Sequence, residues 1–298
     1  MRPHSLVPVA VLALVAGTAD AGENSFGYSY TSDTLPKGQS EASVSLTHRW
    51  DKQLGSYNAN DLVLGYETGL TDRLQADIYV VGMDIRSHDA FPLSTEGEEV
   101  YPLDIDTRKV AGYKGSLKYN FLSPYKDGIG LAFVWEAAYW RYFPKVDGAR
   151  TEQYSFEPKL IVQKNFLDDT LIAVYNLATE FERRSFPEDG SSESEVSITH
   201  TAGLSYRVAP SWYAGLEARH HMDVLDGVKN HNDFFLGPTL TYGSERWYLS
   251  ATWLRQLSGS KAYSAYEVDP AVYPTANSRY HLEEDVLNEL RVKVGVNF

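Results

Sequence analysis

The stretch Leu290-Arg-Val-Lys-Val-Gly-Val-Asn-Phe298 decides the fold. Leu290, Val292, Val294, Val296 and Phe298 are apolar, and Arg291, Lys293 and Asn297 between them are polar. Successive side chains of a strand point to opposite faces, so this segment carries one greasy face and one wet face. A wall of such strands must turn its greasy face to hydrocarbon or to a second layer.

Working back along the chain, the same unit recurs. Apolar and polar residues alternate over Ser40–Trp50, Asp61–Leu70, Leu74–Val81, Ala111–Phe121, Ile129–Tyr139 and Tyr154–Val162. They do so again over Leu171–Phe181, Val196–Val208, Trp212–Met222, Phe234–Tyr242, Trp247–Trp253 and the C-terminal strand. About twelve strands is an even number, as bacterial single-chain membrane barrels have. Connections alternate in length. Short turns lie at 71–73, 123–128, 164–169, 209–211 and 243–246, against longer stretches near 51–60, 86–109, 143–151, 183–195, 223–232 and 257–286. Outer-membrane barrels pair short periplasmic turns with long extracellular loops, whereas a soluble β-sandwich has no reason to sort its loops this way. Aromatic residues fall at strand ends: Tyr119, Phe121, Tyr206, Trp212, Tyr242, Trp247 and Phe298 by the short turns, and Trp50, Tyr139, Tyr154, Phe181 and Phe234 by the long loops. Rings of this kind form belts at the two membrane–water interfaces. The expected fold is all-β: a transmembrane antiparallel up-and-down β-barrel over 40–298, preceded by an N-terminal periplasmic segment or plug at 22–39.

Residues 1–21 read as a signal peptide. Arg2 precedes an apolar run from about Leu6 to Val15, and Ala19 and Ala21 give the small-x-small pattern of a cleavage site after Ala21. The run is far shorter than the roughly 20 residues a helical span needs. Export with no helical span suits a barrel in the outer membrane of a Gram-negative cell. The chain has no cysteine, so no disulfide framework or thiol chemistry. Mean hydropathy is −0.35, which looks soluble. In a barrel, however, only alternate residues meet lipid, so the average hides the membrane face. A net charge of −13 argues against nucleic acid as a partner.

Thr31-Ser-Asp-Thr-Leu-Pro-Lys-Gly38, Glu67-Thr-Gly-Leu-Thr-Asp-Arg-Leu-Gln75 and Gln163-Lys-Asn-Phe-Leu-Asp-Asp169 resemble a family of uncharacterised proteobacterial outer-membrane β-barrels, porin- or transporter-like. The alternation Leu290, Val292, Val294, Val296, Phe298 is similar to the C-terminal signal by which the barrel-assembly machinery recognises its substrates. The resemblance implies architecture and export and carries no catalytic residues. The Gly-Leu-Thr-Asp-Arg-Leu element at 69–74 also resembles barrels that pass small aromatic molecules. Expected partners are outer-membrane lipid and lipopolysaccharide, the assembly machinery, and a small solute.

With apolar residues facing lipid, the lumen takes the charges, because charge in hydrocarbon is costly. The acidic set is Glu41, Glu67, Asp77, Glu136, Glu157, Glu180, Glu217 and Glu289; the basic set is Arg49, Lys114, Lys118, Lys159, Arg207, Arg219, Arg291 and Lys293. Facing ladders of this kind either orient a passing solute or seal a narrow barrel with ion pairs. Twelve strands lie between a barrel that side chains fill and one that leaves an aqueous channel. Small residues at Gly65, Gly69, Gly130, Ala132, Gly203 and Gly215 favour the channel. Leu131 and Phe133 are expected to face lipid near mid-membrane, with Glu136 lumenal and tolerant of Arg.

Enzymatic readings fare less well. His221, His231 and Asp233 could meet at the outer mouth, but nothing fixes their spacing, so no metal or cofactor is expected. Ser87-His88 lies in a loop, His200 falls on the lipid face, and there is no Gly-x-Ser-x-Gly elbow. The acidic loops, with Glu96, Glu98, Glu99, Asp104 and Asp106 in one and Glu188, Asp189, Glu193 and Glu195 in another, are either solvated or gather cations at the mouth. The sequence reading is a passive channel for small hydrophilic or aromatic solutes. The alternatives are a barrel enzyme acting on lipid or peptide at the outer leaflet and a closed structural barrel.

Overall fold

A computed structural model describes residues 25–52, 55–90, 104–143, 147–188, 190–225, 228–260, 279–282 and 284–298. The proposed leader 1–21 and the acidic residues Glu96, Glu98, Glu99 and Asp189 lie outside these.

Twelve antiparallel strands close into one barrel, each paired with its neighbours in sequence. They are β1 (Ser40–Trp50), β2 (Ser56–Thr71), β3 (Leu74–His88), β4 (Ile105–Leu122), β5 (Gly130–Tyr142) and β6 (Arg150–Phe166). They continue as β7 (Leu171–Ser185), β8 (Ser192–Ala209), β9 (Trp212–Leu225), β10 (Val228–Gly243), β11 (Trp247–Gly259) and β12 (Asn288–Asn297). The barrel closes where β12 meets β1, in a register running from Glu41↔Asn297 to Trp50↔Asn288. Phe298 extends the seam by one rung: its N–H donates to Ser40 O at 2.8 Å and its carbonyl accepts from Ser40 N–H at 2.9 Å. Closure leaves no strand edge, so the backbone of the wall is satisfied without water, as hydrocarbon requires.

The greasy faces point outward. Val44, Leu46, Leu62, Leu64, Ile78, Val80, Leu117, Leu160, Leu204, Leu216 and Leu240 are all exposed on the outer surface. On β12, Leu290, Val294, Val296 and Phe298 are exposed while Glu289 between them and the lumen is buried. At the short-turn rim the rings of Tyr66 and Phe298 lie 6.4 Å apart, and Tyr242 lies 5.2 Å from Trp212 and 4.8 Å from Trp247. At the other rim Tyr139 and Tyr154 lie 5.1 Å apart, and His48 stacks on Trp50. This is an outer-membrane-type β-barrel.

The structure corrects the sequence reading in several places. Strand ends at the short turns fall within a residue or two of those expected, except that β6 ends at Phe166 instead of Val162; toward the long loops the strands run on, β3 to His88 instead of Val81 and β4 from Ile105 instead of Ala111. Beyond the hydrocarbon the ladder can continue while the outer residues no longer need to be apolar, so the alternation that marks a strand fades. On these extensions Tyr57, Ala59, Val81, Met83, Ile85, Ile105 and Ala111 point inward and form an apolar cluster with Val286. The upper lumen on that side is therefore greasy, not charged. Ser87 and His88 lie on β3 rather than in a loop; Ser87 is buried and its neighbour exposed, so the pair forms no dyad. Leu131 pairs with Leu122 and Val162 beside the short turn after β4, close to the rim and away from mid-membrane.

Candidate functional site

The lumen is threaded by the chain's own N-terminal segment. Between Ser25 and Leu35 most residues are buried, with Ser25, Phe26, Thr31, Ser32 and Leu35 nearly inaccessible. An extended segment with no strand partner must satisfy its backbone elsewhere, and here the wall's side chains do so. The Glu217 carboxylate accepts from three successive N–H groups, Gly27 at 2.7 Å, Tyr28 at 2.9 Å and Ser29 at 2.8 Å, and from the Thr252 hydroxyl at 2.7 Å. Asn176 brackets Tyr30, accepting from its N–H at 2.7 Å and donating to its carbonyl at 2.9 Å. Gln163 accepts from Ser32 N–H and Gln75 from Leu35 N–H, each at 2.8 Å. Asn120 donates to Ser32 O at 2.6 Å, and Lys118 donates to Asp33 O. Arg291 donates to Gly27 O at 3.2 Å.

The small lumenal residues have a different purpose from the one expected. A Cβ on Gly203 would fall 2.5 Å from the Phe26 ring, one on Gly130 2.1 Å from Ser32 Oγ, and one on Gly69 2.2 Å from Pro36 O. The room they leave is occupied by residues 26–36, not by open channel. Gly65 makes room for the wall's own Ser43 and Tyr79, and Gly215 sits against the Leu204 carbonyl.

The charged residues expected in the lumen are distributed around this plug. Glu41 accepts from the Tyr248 hydroxyl at 2.8 Å, and Lys293 lies over that ring at 5.5 Å. Glu67 accepts from Gln75 and Tyr79 at 2.9 and 3.0 Å, and Asp77 from Ser116 and Gln75 at 2.5 and 2.9 Å. Higher in the lumen the groups pair with one another. Arg49 meets Asp61 at 2.9 Å, Lys114 meets Glu136, Lys159 meets Glu157 at 2.9 Å, and Arg219 grips Glu289 with two bonds of 2.9 Å. Arg207 reaches Thr170 at 3.3 Å near a turn. Glu180 lines a cavity on the long-loop side. Two plug tyrosines complete the set: Arg291 covers the Tyr28 ring at 3.9 Å and Lys159 the Tyr30 ring at 4.2 Å, cation–π distances.

Two cavities flank the plug. One of about 280 Å³ is lined by Tyr28, Tyr30, Glu67, Asp77, Lys114 and Lys159, among others. The second, about 350 Å³, lies on the long-loop side and is lined by Arg49, Glu157, Glu180, Arg219, His221 and Asp285. Mixed charge with tyrosine faces suits a small polar solute that carries an aromatic or sugar-like face.

Sequence reasoning missed three features of this lumen. Arg184, between Glu182 at 3.1 Å and Glu195 at 3.5 Å, lies past the point where β7 was expected to end. Its signal was present as the continued alternation Glu182, Arg184 along the strand. Asp223 is fully buried and contacts His221 and His231. The third is the chain before β12, residues 279–282 and 284–287, which folds into the mouth: His281 and Val286 are buried, and Gln256 N–H donates to Leu287 O at 2.9 Å. Burial and the neighbouring His231 push the His281 imidazole down to about 3, so it is neutral. No local pattern announces that segment, because its contacts are with β10, β11, the residues after β1 and the apolar cluster of β2–β4, and not with itself.

Among solved structures, the chain is similar to an outer membrane channel from Pseudomonas putida F1, with TM-score 0.61, 13% identity, and coverage of 89% of this chain and 97% of that one. It is also similar to the β domain of the Bordetella autotransporter BrkA, with TM-score 0.55, 10% identity, and coverage of 87% and 99%. At such identities the likeness is one of fold. The chain matches none of the curated proteins. Residues 18–298 match the model of a family of unknown function, DUF6662, and the chain belongs to that family.

Proposed function

We propose that this protein is a passive outer-membrane channel for small hydrophilic or aromatic solutes, held shut at rest by residues 25–39. The observation that carries the reading is how the segment is held. Between Ser25 and Leu35 it is bonded to the wall through side chains such as Glu217, Asn176 and Gln163, and only at Gly38 and Gln39 does its backbone pair with β2. Each of those groups would find an equivalent partner in water or a solute hydroxyl once the segment moved. The cavities on both sides of it support the same reading, since a barrel built only to be closed gains by filling them. The Pseudomonas relative in fold is itself described as an outer membrane channel, which is consistent with this use of the architecture.

In this reading the solute travels between the acidic and basic pairs of the upper lumen, and the Tyr28 and Tyr30 rings offer it a flat apolar face. Lipid and lipopolysaccharide surround the barrel, and the assembly machinery inserts it by way of the β12 alternation. Planar-bilayer recording of the intact protein and of a form lacking 25–39 tests the proposal. The shortened form is expected to conduct steadily and the intact one rarely. A folded shortened form without conductance would replace the channel with the closed barrel.

A further inference from the structure

At the long-loop end of the lumen, β8, β9, β10 and the segment before β12 bring imidazoles and carboxylates to one point. His221 Nε2 lies 2.9 Å from Asp223 Oδ1; His231 Nε2 lies 3.2 Å from Asp223 Oδ2 and 3.6 Å from Asp285 Oδ2. One ligand atom from each of His221, Asp223 and His231 lies within 4.8 Å of the others, and so it does for His231, Asp233 and Asp285. Asp223, His231 and Asp233 are each 1% exposed or less. Protein alone does not satisfy the cluster. The ring nitrogens of His231, the oxygens of Asp233 and His221 Nε2 make no hydrogen bond of acceptable geometry, although both imidazoles stand within ion-pair range of Asp223. Three carboxylates meet here, and the nearby guanidinium of Arg219 is already committed to Glu289. The Asp233 carboxylate, buried without a donor beside two others, must be neutralised by a proton or by a nearby cation.

We propose that this cluster is a resident transition-metal site of the zinc class, with His221 Nε2, Asp223 and His231 Nε2 as its three clustered ligands and Asp285, 3.6 Å from His231 Nε2, closing the fourth position. The spacing fits. With metal–ligand bonds of about 2.0–2.2 Å, neighbouring ligand atoms of a tetrahedron stand roughly 3.3–3.6 Å apart, and three of its edges, at 2.9, 3.2 and 3.6 Å, scatter around that value. Nitrogen donors beside carboxylates select zinc-like ions over calcium or magnesium, which take oxygen. A supporting layer is in place: Thr199 Oγ1 and His221 Nδ1 share a hydrogen bond of 2.8 Å, which fixes the ring with Nε2 toward the cluster, and Ser197 donates to Asp223. His281 stacks on His231 with ring centroids 4.1 Å apart and planes 6° from parallel, and holds that ring in place. The ion would tie Asp285, and with it the segment folded into the mouth, to the β9–β10 wall. It would therefore stabilise the closed outer end of the barrel.

The test is metal content of the full-length folded protein, stripped with chelator, reloaded with Zn²⁺ and desalted, with Co²⁺ absorption reporting geometry. One ion per chain and the intense visible bands of tetrahedral Co²⁺ are expected. His231→Ala and Asp223→Asn should each lose the ion. Thr199→Val, which keeps every ligand, should weaken binding about 10–100-fold. His200→Ala, on the outer wall, and His88→Ala, in the exposed cluster with Asp89 and Asp104, should bind as the parent does. Heat-modifiable electrophoretic mobility identifies folded barrels, and only those are compared. Failure of the folded parent to retain an ion, or its loss through His88→Ala with retention in His231→Ala, would overturn the assignment.

Discussion

Single residues divide this protein into a lipid face and a lumen, and one carboxylate holds three successive residues of the plug. Glu217 receives three backbone N–H groups and a hydroxyl, and hydrogen bonds to a charged group contribute about 1.5–3 kcal/mol each. Glu217→Ala should leave the barrel folded but release residues 25–30. Limited proteolysis in detergent would then cut near Tyr28 and Tyr30, while the parent resists; equal resistance would show that the other bonds suffice. Position along the wall sets the cost of an outward charge. Leu62 lies midway between the level of Trp50 and the Tyr66–Phe298 belt, so Leu62→Arg should cost about 2–4 kcal/mol in urea unfolding from lipid, and Leu131→Arg at the rim only about 0–1. At Glu136 the sequence suggests that Arg is tolerated. The ion pair with Lys114 argues otherwise, since the replacement would bury two cations together. Glu136→Gln is the milder change and should spare the fold.

At the scale of the element, β12 carries the most information. Its outward residues alternate to the last position, and its last residue bonds to Ser40 and so completes the closing seam with β1. Removing Phe298 deletes two backbone bonds and a ring from the periplasmic belt. Outer-membrane yield of the truncated chain should fall sharply against the intact one, whereas equal yield would mean that the remaining alternation suffices for assembly. The other strands show where reading by pattern fails. Each was legible wherever lipid demands apolar residues on alternate positions. Each faded toward the long loops, where β2, β3, β4 and β6 continue as ladders in water. The charge pair Glu182 and Arg184 was lost for that reason, although its spacing of two belongs to the same strand.

Taken whole, the molecule is a membrane cylinder with an internal stopper and a folded-over mouth. Its upper lumen pairs cations with anions almost one for one, so any selectivity should be mild and set mainly by the acidic rim. Once residues 25–39 are removed, reversal potentials should show a modest preference for cations. That preference should shrink as salt shortens the Debye length from about 10 Å at 0.1 M to about 3 Å at 1 M. A preference for anions, or one indifferent to salt, would place the selecting charges deep in the lumen instead. From sequence alone came the strand number, the outward face of each strand and the sorting of short and long connections. These follow from alternation under a two-solvent boundary, which acts locally and leaves its mark in neighbouring residues. Only the tertiary structure decided what the lumen holds. Residues 26–36 meet Gly203, Gly130 and Gly69, and Asp285 meets His231, across gaps of dozens of residues or more in the chain. Contacts between residues so distant depend on closure and on the radial position of each side chain, and no periodicity in the sequence records them.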